Sequence, residues 1–236
     1  MKFVVNAEDM SSALRAVVAH ATTKADDGYM RTVDLQITEA GQMLVTASNG
    51  STSGVARVRL VDFAGELGRF ALDRDDVDLV RSTFGDGRVD LEISVTESRM
   101  EQTHPDEKPE VVHSVQVREL GAMFGGRSLR ISTADQSKRD VAGLWHAIAA
   151  GLARKLPPLG STAFHPADMA KFRNASLAYG EDLRIVPADG FGSLLVHCGR
   201  DFVGFMNADA RAGEEFDETR EAWRDALPLK LAKVGS

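Results

Sequence analysis

The chain carries a single cysteine, Cys198, among its 236 residues. An intrachain disulfide is therefore excluded, and a reducing cytoplasm is the compartment that fits. No apolar run comes near the ~18 residues that a membrane helix needs, so no segment is expected to span a bilayer. The opening residues reach Glu8 and Asp9 without a long apolar stretch, which argues against a secretory leader. Two tryptophans and two tyrosines leave little material for a platform that stacks single-stranded bases. Positive charge is also short: Lys and Arg number 28 against 35 Asp and Glu, a net charge of −7. That excludes whole-surface attraction to nucleic acid but leaves room for a basic stripe on an acidic body. No HExxH, GxSxG, Walker loop or GxGxxG occurs, so the common catalytic and phosphate-binding signatures are missing.

Hydrophobic residues make up 43% of the chain, enough for a real core. An opening strand, Met1 to Val5, runs into a helix over 7–21 in which Met10, Leu14, Val17, Val18 and Ala21 share one face. Asn6 is its expected N-cap, with Glu8 and Asp9 in the first turn where the helix dipole favours acids. Residues 33–38 and 43–47 read as a hairpin around Glu39–Gly41, and Asn49-Gly50 turns the chain into a Ser/Thr/Gly stretch before a strand at 55–60. Asp73 opens a second helix over 73–84, with Val77, Val80 and Phe84 inward. Strands are expected at 89–95, 111–117 and 128–133, with a polar proline-bearing loop at 101–110.

The second half opens with the strongest helix signal, residues 137–155, where Val141, Leu144, Trp145, Ile148 and Leu152 form one face before Pro157-Pro158 forbids continuation. Pro166 starts a further helix with Met169, Phe172, Ser176 and Tyr179 on one side, ended by Gly180. Strands follow at 183–187, 193–198 and 201–206. A charged tail at 214–225 closes the pattern. The fold class is α+β, antiparallel sheet packed on helices in two halves, 1–134 and 135–236.

Chemistry-bearing side chains are scattered. His20, His104, His113, His146, His165 and His197 form no ligand spacing. His104 and His113 flank Asp106, Glu107 and Glu110, which read as a solvated linker. Cys198 and His197 are neighbours on a strand, so they point to opposite faces and make a poor nucleophile–base pair. Cys198 reads as buried and structural, and Trp145, Phe191 and Phe202 as core. No catalytic residue, metal site or cofactor is expected.

The first half also has a particular wording. Met1-Lys-Phe-Val-Val5, the segment Met43-Leu-Val-Thr-Ala-Ser-Asn49 and the strand Val55-Ala-Arg-Val-Arg-Leu60 occur in an order that resembles the N-terminal domain of the bacterial DNA sliding clamp, the β processivity factor of the replicative polymerase. The resemblance covers about residues 1–100. It implies a protein without an active site, in which helices line a central hole and their polar faces meet DNA. On that footing the basic residues on helix backs become the candidate DNA-facing set: Arg15, His20, Lys24, Arg74, Arg81, Lys138, Arg139, Arg154, Lys155, Lys171 and Arg173. Each taken alone is more often an ordinary solvated cation. Arg57 and Arg59 belong to the outer surface. The implied partners are duplex DNA held without regard to sequence, a DNA polymerase, a clamp loader and further copies of the chain, a trimer if a ring of two-domain chains closes.

The second half departs from the pattern. Only about ten residues separate its two helices, so either strands have been lost or a short helix over Arg118–Phe124 is the true first helix and 137–155 is an addition. A second reading keeps the clamp-like half as a protein-binding module that acts on replication proteins without encircling DNA. An enzyme of unrecognised type is the third.

Overall fold

The computed structural model describes residues 1–24, 28, 30–85, 87–99, 111–121, 125–134, 141–153, 164–188 and 193–207. In chain order it has β1 (Lys2–Asn6), α1 (Ala7–Val18), β2 (Thr32–Ile37), β3 (Gln42–Ser48), β4 (Thr52–Ala64), β5 (Arg69–Asp73), α2 (Arg74–Phe84), β6 (Asp90–Arg99), β7 (Val111–Glu119) and β8 (Ser128–Ala134). Then come α3 (Val141–Ala153), α4 (Pro166–Tyr179), β9 (Leu183–Pro187), β10 (Leu194–Cys198) and β11 (Phe202–Met206). Every described strand pairing is antiparallel.

β4 organises the sheet. Along Ser53–Arg59 it pairs β3 on one side. On its other side Thr52–Ala56 pairs β11, and Leu60–Ala64 pairs β1. Two runs of strands therefore share it: β5-β2-β3-β4-β11-β10-β9, and β4-β1-β6-β7-β8. The sequence pattern places this strand at 55–60, with turn-like residues before it. The strand instead starts at Thr52, because β3 and β11 bind both of its edges and satisfy a Ser/Thr/Gly backbone that weak strand formers would not hold alone.

Local chemistry sets the helix ends. The Asn6 carboxamide accepts from the amides of Glu8 and Asp9 at 3.0 and 3.3 Å, and Asp73 accepts from Asp75 N at 2.9 Å. Asn6→Ala should lower stability by about 1 kcal/mol in a urea melt, since two first-turn amides lose their acceptor. Pro166 sits in the first turn of α4 and Gly180 ends it with φ +65°.

α1 buries Met10, Ala13, Leu14, Val17 and Val18, and α2 buries Val77, Val80 and Phe84, in one core with Phe3, Leu35, Met43, Val45, Ala56, Val58 and Ile93. α1 touches both α2 and α4. Helices on opposite faces of a sheet cannot touch, so these three lie side by side on one face. Phe172 and Ala175 of α4, with Leu194, Val196, Cys198, Phe202 and Met206, belong to that same core.

α3 is on the other face. Along β4 the side chains alternate, Ala56 and Val58 toward α1 and Val55 away from it. Val55 joins Ile148, Ala188 and Leu195 in a separate cluster, with Leu44, Leu144, Trp145, Val203 and Phe205 packed around it. The indole Nε1 of Trp145 donates to Thr46 Oγ1 at 3.3 Å. The expected apolar face of this helix is thus only partly used: Val141 and Ile148 are buried, but Leu152 is 54% exposed. The short helix expected at Arg118–Phe124 is not seen in its described part, since Arg118 and Glu119 continue β7. No described helix is long and apolar enough to cross a membrane.

Candidate nucleic-acid interface

The face formed by α1, α2 and α4 is where the basic helix backs should lie. Seven of the eleven candidate residues are described. Lys138, Arg139, Arg154 and Lys155 are outside the described residues, and α3, which they flank in sequence, lies on the face opposite to α1, α2 and α4.

His20 is a correction to the expected set. Its side chain is fully buried beyond the end of α1. Its Nδ1 lies 3.1 Å from Thr52 Oγ1, and its ring packs 4.7 Å from Phe172 and 6.1 Å from Phe202, centroid to centroid. It is a core residue that no phosphate can reach. Burial lowers its pKa to about 3, with nearby Lys171 acting in the same direction and Asp168 against it.

Most of the remaining cations are already engaged. Arg74 Nη1 donates to the carbonyls of Val18 and Ala21 at 2.9 and 3.0 Å, tying the start of α2 to the end of α1. Arg15 Nη1 donates to Leu177 O at 3.3 Å, linking α1 to α4. Arg81 pairs with Asp78 at 3.2 Å, and Lys171 with Asp168 at 2.6 Å, each three positions apart on its own helix. Lys24 and Arg173 are exposed. Across these three helices Glu8, Asp9, Asp75, Asp76, Asp78 and Asp168 stand against Arg15, Arg74, Arg81, Lys171 and Arg173. The described helix face is therefore mixed in charge. Asp9 and Asp76 have raised pKa values, through desolvation first and neighbouring carboxylates second.

Arg57 and Arg59 are exposed on the opposite face, as expected, and Arg57 pairs with Asp201 at 3.1 Å. Cys198 is buried, and its Sγ donates to Glu181 O at 3.5 Å; desolvation raises its pKa. His113 lies in β7 opposite Glu97. His104 and the loop 101–110 are outside the described residues.

Sequence reading missed two groups. Arg31 bonds Asp73 at 3.0 Å and also bonds Asp75, which secures the first turn of α2; nothing local at position 31 marks it. Asn49 and Asn174 come together with Arg74 and Lys171 around one cleft on the helix side. Asn49 was visible as a turn residue only.

The two-helix unit of β1 to β8, extended through β4 by a helix and three strands, defines an α+β clamp-like architecture. No family model matches the sequence, and no curated protein matches it. Solved structures do. The DNA polymerase sliding clamp of Pseudomonas aeruginosa, solved with a ligand, matches with a TM-score of 0.60 at 14% identity, over 98% of this chain and 68% of that one. The DNA polymerase III β subunit of Thermotoga maritima matches at 0.56 and 12%, over 88% of this chain and 64% of that one. The sliding clamp of Bacillus subtilis matches at 0.55 and 12%, over 89% and 64%. The chain has the fold of the DNA sliding clamps and spans 64% of the length of the Thermotoga and Bacillus proteins.

Proposed function

We propose that this protein is a DNA sliding clamp, a processivity factor whose copies close head to tail into a ring around duplex DNA and tether a polymerase. Residues 1–134 supply a whole two-helix unit and 135–236 a reduced one. The observation that carries this reading is the combination of the clamp fold with open sheet edges. β9 pairs only β10 among the described strands, and its Ile185 and Val186 are 40% and 41% exposed. β8 pairs only β7. An exposed apolar edge strand is a template for another chain, and a contact between two different edges closes a ring when the rotation allows it. Catalysis is not part of this reading. Retention is topological, and contacts to phosphates are loose, salt-sensitive and independent of base sequence.

Light scattering should give a stable trimer that stays on end-blocked linear duplex and slides from duplex with free ends. Replacing Ile185 and Val186 together with Glu should reduce it to monomer while leaving the melting temperature within a few degrees, because both side chains are already exposed. A wild-type chain that is monomeric at micromolar concentration sinks the ring.

The mixed charge of the helix face favours a second reading, a clamp-like module that binds replication proteins without enclosing DNA. It predicts a monomer or dimer whose retention ignores blocked ends.

A further inference from the structure

Arg74 and Lys171 are remote in sequence, yet they share the wall of one cleft of about 400 Å³. The cleft opens where the end of α1, the starts of α2 and α4 and the β3–β4 turn converge. Asn49, Asn174 and Thr23 also line it; the rest of the wall is Thr22 and alanines. None of the lining residues is acidic. Its size falls within the ~300–1,000 Å³ typical of small-ligand sites.

The wall is built to donate. Arg74 Nη1 is spent on the Val18 and Ala21 carbonyls, which fixes the guanidinium in place. No hydrogen bond from its Nε or Nη2 is found among the described residues. The Oδ1 of Asn49 already accepts from Ser51 N, Thr52 N and Thr52 Oγ1 at 3.2, 3.0 and 3.3 Å, so its amide hydrogens are what it has left to offer. Lys171 gives one N–H to Asp168, which is outside the wall, and retains two more. Asp73 and Asp75, the carboxylates nearest Arg74 in sequence, are both bonded to Arg31. The first turns of α4 bring Ala167 and Ala170 to the wall, so the positive end of that helix dipole adds to the field.

We propose that this cleft is a discrete phosphoryl-binding site. A planar guanidinium, an ammonium and amide donors converging on a wall that has no acidic residue among the described ones suit a tetrahedral oxyanion better than a neutral ligand. The phosphoryl group comes either from a nucleic-acid strand or from a phosphorylated small molecule. The site does not depend on ring closure.

Inorganic phosphate, a nucleoside 5′-monophosphate and a short oligothymidylate should each be titrated into the full chain at low salt, with amide NMR shifts as the readout. Shifts should concentrate at Thr23, Asn49, Ala170 and Asn174. Lys171→Gln should weaken binding about tenfold, the effect of losing one charge-assisted hydrogen bond. Ala170→Glu, which adds a carboxylate on an exposed helical position without removing any packing, should abolish it. Arg59→Gln on the opposite face is the control and should change nothing. Tighter binding of the oligothymidylate assigns the site to a strand, and tighter binding of the mononucleotide assigns it to a small molecule. The proposal is overturned if all three probes leave the cleft unshifted, or if Ala170→Glu binds as well as wild type. A trimer whose cleft ignores phosphate would spare the ring and defeat this site; a monomer that binds phosphate would do the reverse.

Discussion

Gly204→Ala should destabilise the protein by about 3 kcal/mol, a fall of roughly 10 °C in melting temperature for a chain of this size. The added Cβ would lie 2.3 Å from Phe172 Cε1 and 3.0 Å from the Ser53 carbonyl oxygen. Neither neighbour can yield cheaply. Phe172 is fully buried against His20 and Phe202, and Ser53 is locked in the β4–β11 ladder. Gly204 has an ordinary φ, so the effect is purely steric. The same joint needs Gly54, where a Cβ would stand 2.6 Å from His20 Cδ2. Together these glycines let α1 and α4 close onto the sheet at the strand that both halves share. Phe172→Leu should also destabilise, by roughly 1–3 kcal/mol through the lost ring. In the double variant the costs should fall well short of their sum, because removing the ring removes the clash. Additive costs in a calorimetric double-mutant cycle would show that Gly204 matters for some other reason.

Stability should decline on acidification through the pKa of an unfolded histidine, and His20 should be the main cause, ahead of the half-buried His197, whose pKa burial also lowers. Its folded pKa, about 3, lies below the ordinary imidazole value of 6.5. Between those limits the unfolded chain binds the extra proton, so unfolding becomes easier as pH falls. The stabilisation is whole above pH 6.5 and drains by about 1.4 kcal/mol per unit toward pH 3. From pH 8 to pH 5 the loss should be about 2 kcal/mol. The physical cause is that imidazolium would be fully buried, with Nε2 finding no acceptor among the described residues and Lys171 nearby. His20→Gln keeps a hydrogen-bonding side chain but cannot titrate, so the difference between wild type and variant should be flat above pH 7 and change below it. Asp9 and Asp76, whose raised pKa values act in the opposite sense, are common to both proteins and cancel in that difference. Parallel urea midpoints from pH 8 to pH 5 would remove His20 from this role.

The placement of helices and strands was legible because it is set by neighbours within a few residues. Asn6 and Asp73 cap with their own side chains, Pro166 and Gly180 bound α4 through backbone geometry, and the 3.6-residue and 2-residue periods mark which positions seek a core. The N-terminal wording carried the clamp resemblance for the same reason: it is a run of adjacent residues. Burial of Cys198 was likewise readable from its apolar strand.

The interface was not legible, because long-range packing made it. An apolar face shows that a helix must be covered but not by which side of a sheet, and this sheet offers Val58 on one side and Val55 on the other. α3 therefore went to the face away from α1. His20 looks like a helix-end cation in sequence, yet Gly54 opposite it makes room for its ring, and desolvation keeps that ring neutral. Arg74 and Lys171 become neighbours only once β11 has paired with β4 and drawn α4 against α1. The sequence by itself determined the elements, their caps and their order. Which face each helix took, and which charges met, was decided by β4, a strand bonded along both edges that joins segments local chemistry cannot bring together.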